Sequence, residues 1–185
     1  MNLAKRLPNL GQILPVYAVT VMMFYGWTIW RYFWQTPSWL HYLSIYELLG
    51  ILSYAVLVDF FESLTILLAL LFLSFLLPEK WFRDVFVARG SMLVLLNLGY
   101  LMYFDYSFKT ASESDFPSFL VKLLPLVLVV ILLLTFLAGK INILKNFVEE
   151  FSSRAVIFLY ISIPASIIGI TYVIIRNLFW GVFNA

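Results

Sequence analysis

The sequence predicts an all-α polytopic membrane bundle: about five transmembrane helices, the N-terminus inside, and short interfacial amphipathic helices. Three observations carry this. Hydrophobic residues make up 63% of the 185-residue chain and charged residues only 12%, with a mean hydropathy of +0.97, outside the range of soluble domains. The stretch Leu123–Ala138 carries no charge and is too long for an ordinary strand. Finally, backbone groups in hydrocarbon must pair internally, which leaves helices or closed barrels. A barrel would show alternating segments of roughly ten residues, whereas these runs are unbroken and Leu-rich. Residues 1–185 are therefore expected to form a single transmembrane domain.

The first span is expected over Leu10–Trp34, with Pro15 in its first turns, where a missing N–H costs little. Lys5 and Arg6 before the apolar Ile13–Phe24 imitate a signal peptide. However, Tyr25, Trp27 and Trp30 follow in place of a small-residue cleavage site, so a retained span is expected. The rings of Trp27, Trp30, Tyr32, Phe33, Trp34, Trp39 and Tyr42 read as an interfacial girdle. His41, the only histidine, stands among them without a second ligand type nearby and is expected to be structural.

Ser38–Leu77 is too long for one crossing, since forty helical residues span roughly 60 Å, about twice the hydrocarbon thickness. The expected solution is an interfacial or protruding helix over Ser38–Ser53 followed by a span over about Tyr54–Leu77. The alternative, a reversal at Asp59–Ser63, lacks Gly or Pro to make it. Charge bias agrees. With five spans, Lys5, Arg6, Lys80, Arg83, Arg89, Lys140, Lys145 and Arg154 fall inside and Arg31, Lys109, Lys122 and Arg176 outside, eight against four. Six spans reach only seven against five, so the positive-inside bias favours five. The remaining spans are expected at 91–108, 118–138 and 154–176. A polar outer loop at Lys109–Pro117 and an amphipathic inner helix within Gly139–Ser153 connect them.

Function is less legible. The net charge of +2 without a polybasic block argues against nucleic acid, and the absence of Cys removes thiolate chemistry. No phosphate loop, HExxH or assignable catalytic triad occurs, so neither catalysis nor a metal or cofactor is expected, although bound lipid is. The sharpest feature is Asp59 with Glu62, on one helical face at i, i+3. Counted from Leu77, Glu62 lies roughly 22 Å and Asp59 roughly 27 Å along the helix. An acid at that depth needs a partner or a cavity. For Asp59 the expectation is an interfacial acid reaching water, Arg31 or Arg176; for Glu62 a cation or docking site stands equally open. On span three, Asn97 is expected to bond a neighbouring helix. Asp105 could complete a three-carboxylate pocket with Asp59 and Glu62, though packing is the expected role of this segment. Ala165 and Gly169, with Ser162 and Ser166, offer a close-packing face, and Arg83 and Arg89 offer inner-loop contacts to lipid or a partner.

The expectation drawn from these features is a small accessory or assembly subunit in the plasma membrane, docking a larger partner or forming a homo-oligomer. The alternative is an oligomeric channel or cation-coupled transporter using Glu62 and Asp59. A membrane enzyme acting on lipid-linked substrates comes third.

Overall fold

The computed structural model describes residues 7–79, 81–110 and 118–183. Their helices are α1 (Leu10–Trp39), α2 (Ile45–Leu76), α3 (Phe86–Thr110), α4 (Ser118–Ala138), α5 (Asn142–Ala155) and α6 (Ile157–Phe183), with a 3-10 turn at Arg83–Val85. No strand occurs among the described residues. Among the described residues, four helical segments are long and apolar enough to cross a membrane: Leu10–Trp39, Ile45–Leu76, Arg83–Ser107 and Asn142–Leu178; Lys122–Ala138 in α4 is a shorter apolar stretch. The chain is thus a membrane-embedded helical bundle. Lys5, Arg6, Lys80 and the loop 111–117 lie outside the described residues, as do the side chains of Lys109, Phe179 and Trp180.

Two capping boxes set the helix starts. Asn9 and Gln12 exchange side-chain and backbone hydrogen bonds at the head of α1, and Ser44 and Glu47 do so at the head of α2, each satisfying orphan N–H groups. The Ser44 box places the helix start at Ile45 rather than Ser38, and the helix over residues 45–53 runs straight on into the expected span. α1 instead runs through Pro37 to Trp39, the chain turns over residues 40–44, and α2 continues unbroken past Tyr54 and through Asp59–Ser63. Helix initiation at Ile45 decides this, because nothing downstream stops the helix until Leu77. The resulting 32 residues span about 48 Å, which a tilted or protruding helix accommodates.

α1 is the axis of the bundle. It packs against α2, α3, α5 and α6, while α2 also packs on α6, and α3 on α4 and α5. Part of its first half is tightly enclosed: Val16, Ala18, Val19, Thr20 and Val21 are at most 2% exposed. Phe86 and Val94 of α3 and Leu70 of α2 extend this core. In lipid such contacts stabilise by close packing rather than by escape from water. α5 buries Val148, Ser152 and Ala155 and leaves Ile143 and Phe147 exposed; Ser152 Oγ donates to Ser91 Oγ at 2.8 Å, tying it to α3.

Two ends follow from these contacts. The α1–α2 turn, Arg31, Asp105 and Arg176 mark one, the turn end. Arg83, Arg89, Lys140, Lys145 and Arg154 gather at the other, the basic end.

Candidate functional site

Toward the turn end the enclosure of α1 opens. α2 and α3 both pack on α1 but hardly on each other. Between them lies a cleft of about 400 Å³, floored by Phe24, Trp27, Thr28 and Arg31 of α1, with Ala55, Val58, Asp59 and Glu62 on one wall and Leu98, Leu101, Met102 and Asp105 on the other. Each helix contributes residues at i, i+3, i+4 and i+7, one continuous helical face. The polar groups sit at the i+4 and i+7 positions.

Because α1 and α3 run parallel and α2 antiparallel to them, these polar groups form a graded series. At the mouth, Arg31 Nη1 lies 3.1 Å from Asp105 Oδ2, both side chains a little over one-third exposed. One turn deeper, Thr28 Oγ1 donates to Asp59 Oδ1 at 2.8 Å. Glu62 lies a further turn along α2, about 4.5 Å toward the core, and is exposed. Asp59 itself is 4% exposed, and its Oδ2 has no hydrogen-bond partner. A buried carboxylate oxygen left unpaired carries a desolvation cost that a cationic ligand would relieve.

Several expectations are corrected here. Asp59 neither reaches water nor pairs with Arg31 or Arg176. Arg31 is held by Asp105, and Arg176 lies over the Tyr54 ring, 5.8 Å from its centroid. Thr28, on the neighbouring helix, is the partner that sequence reasoning missed. Asn97 does not bond a neighbouring helix: its Nδ2 donates to Leu93 O of its own helix at 2.8 Å, a local acceptor always within reach, and it takes no part in the cleft. Asp59, Glu62 and Asp105 do share one cleft rather than serving packing alone. Even so, no three His, Cys, Asp or Glu among the described residues are grouped closely enough to hold a metal ion.

The other singled-out residues lie apart from the cleft. Ser166 Oγ and Tyr25 Oη are 2.6 Å apart and link α6 to α1. Ser162 is buried on the same face, and Ala165 is half-buried. Gly169 lies against α2, where an added Cβ would meet Ser53 O and Val56 Cγ1 at 3.3 Å. This face therefore packs within the chain. Arg83 donates to Glu79 Oε1 at 2.7 Å, Arg89 is buried beside Phe136 and Gly139, and His41 sits exposed at the α1–α2 turn. A second cavity of about 470 Å³ adjoins the cleft through Trp27, Arg31 and Asp105 and adds Trp30, Trp34, Gln35 and Tyr106.

No protein-family model, curated protein or solved structure matches this chain.

Proposed function

We propose that the chain is a small accessory subunit that docks a larger membrane partner, and that the cleft takes up a basic side chain from a transmembrane helix of that partner. The observation that carries this is Asp59, buried with one oxygen unpaired, beside an exposed Glu62 at membrane depth in a gap between two helices. Two acids in such a place favour a cationic occupant, and a gap between helices that both rest on α1 suits a further helix. Arg31 already neutralises Asp105, so Asp59 and Glu62 remain for the incoming charge.

Conduction fits less well. Beneath the cleft, Val16, Ala18, Val19, Thr20 and Val21 of α1 are at most 2% exposed, so the packing favours a binding site over a pathway. The positive-inside bias orients the basic end to the cytoplasm and the cleft to the opposite leaflet of the plasma membrane.

Mild-detergent isolation of the tagged chain from its native membrane tests this reading. The expected result is a stoichiometric protein companion whose recovery falls about tenfold or more in Asp59→Asn/Glu62→Gln, the scale of a lost buried charge pair. A wild-type chain that purifies alone or only with itself contradicts the proposal. So does a companion retained equally by the double variant.

A further inference from the structure

At the basic end, Arg89 stands where α3 meets the turn between α4 and α5. It is 6% exposed, and its Nε and Nη1 have no hydrogen-bond partner. Three other cations of this end differ: Arg83, Lys145 and Arg154 each pair with a glutamate four residues away. Arg89 has no such carboxylate. Its guanidinium is pressed onto Gly139, where a Cβ would collide with it; only glycine leaves room for so close an approach. The last carbonyls of α4 are near in sequence, yet neither nitrogen bonds one.

A second cation lies against the same aromatic ring. The Arg89 guanidinium lies 5.2 Å and the Lys140 ammonium 4.7 Å from the centroid of the Phe136 ring. One turn before Gly139, Thr135 is buried and its Oγ1 is also unpartnered. Directly after Lys140, the 14-residue α5 begins with Ile141 at its N-cap, which provides no side-chain cap. The first-turn amides and the positive end of the helix dipole therefore lack a side-chain acceptor. Two cations, an uncapped helix start and an unsatisfied hydroxyl thus belong to one junction, and no ion pair joins Arg89 or Lys140 to an acid among the described residues. Like charges gathered at one junction favour a bound anion.

We infer that the α3–α4–α5 junction binds a phosphate group, held by Arg89 and Lys140 with the first-turn amides of α5. Guanidinium, ammonium and helix N-terminus are each phosphate-binding elements. The surroundings favour a phospholipid headgroup as the source: Trp81, Ile141, Ile143 and Phe147 are all exposed around the junction, a border suited to acyl chains. Arg83 takes no part, being held by Glu79.

Native mass spectrometry of the full chain in detergent tests this, with dioleoyl phosphatidylglycerol, dioleoyl phosphatidylcholine and inorganic phosphate as separate probes. The expected result is one phosphatidylglycerol retained per chain in preference to phosphatidylcholine. Occupancy should fall about tenfold in Arg89→Gln and several-fold in Lys140→Gln, the scale of charge-assisted contacts to a phosphate. Gly139→Ala should also lose lipid, although it changes no charge, because the new methyl displaces the guanidinium. Retention of inorganic phosphate with the same dependence on these residues supports the site and assigns its ligand to the aqueous phase. Lys140 is exposed, so its variant answers even if Arg89→Gln fails to fold. Equal retention of phosphatidylglycerol by wild type, Lys140→Gln and Gly139→Ala overturns the inference, as does a wild type that retains no probe.

Discussion

Gly169→Leu is expected to lower the stability of the isolated chain by about 2–3 kcal/mol, the cost of forcing a large side chain into a packed interface. Even a single Cβ at this position would stand 3.3 Å from Ser53 O and Val56 Cγ1. The first of these is backbone, which cannot rotate aside, so the three further carbons of leucine can only push α2 and α6 apart. Gly99 provides the control. A Cβ there meets nothing within 4 Å, so Gly99→Ala should be neutral or stabilise by up to about 1 kcal/mol through helix propensity. Unfolding midpoints in detergent, followed by circular dichroism, measure both. Equal midpoints for the two variants would mean that α6 does not rest on α2 as described.

Asp59→Leu is expected to act in the opposite sense. Removing a buried carboxylate whose Oδ2 has no partner should raise the stability of the isolated chain by about 1–3 kcal/mol, and its midpoint with it, the usual penalty for an unsatisfied buried polar group. Thr28 loses its acceptor but can turn back to a carbonyl of its own helix. The same substitution should abolish recovery of the docked partner. Stability gained and binding lost together mark a residue kept for function. A lowered midpoint would instead make Asp59 a structural tie between α1 and α2, and the thermal scan distinguishes the two directly.

Much of the fold was legible because each helix of a membrane protein is written locally, in unbroken apolar runs and in the signals at its ends. The misplaced start at Ser38 arose from weighing a length, roughly 30 Å of hydrocarbon, above a start signal. Ser44 and Glu47 form a capping box at the spacing that marks a helix N-terminus, and that signal was present in the sequence. The cleft was half legible. Asp59 and Glu62 stand out in an apolar helix, and Thr28 with Arg31 repeats the same i, i+3 spacing on α1. Which faces meet is a tertiary matter. Nothing in α2 alone indicates that Thr28 rather than water or Arg31 receives Asp59, nor that Arg31 is already engaged by Asp105, 74 positions away. Asn97 shows the converse. Its partner was its own helix, and a rule about interhelical amides pointed outward when a local acceptor sufficed. Arg89 looked like any loop cation in the sequence, and its burial depends on Gly139, fifty residues later.

Photo-crosslinking in the native membrane tests the proposed docking at the cleft most directly. A benzophenone amino acid at Leu101, 58% exposed on the wall of the cleft, would be compared with one at Ile168, 69% exposed on α6 away from it. The expected result is a crosslink from Leu101 to one partner protein, absent from Ile168 and lost when Glu62→Lys is added. Crosslinks from Leu101 to lipid alone, or to the same protein equally from Ile168, would contradict a partner helix seated on Asp59 and Glu62.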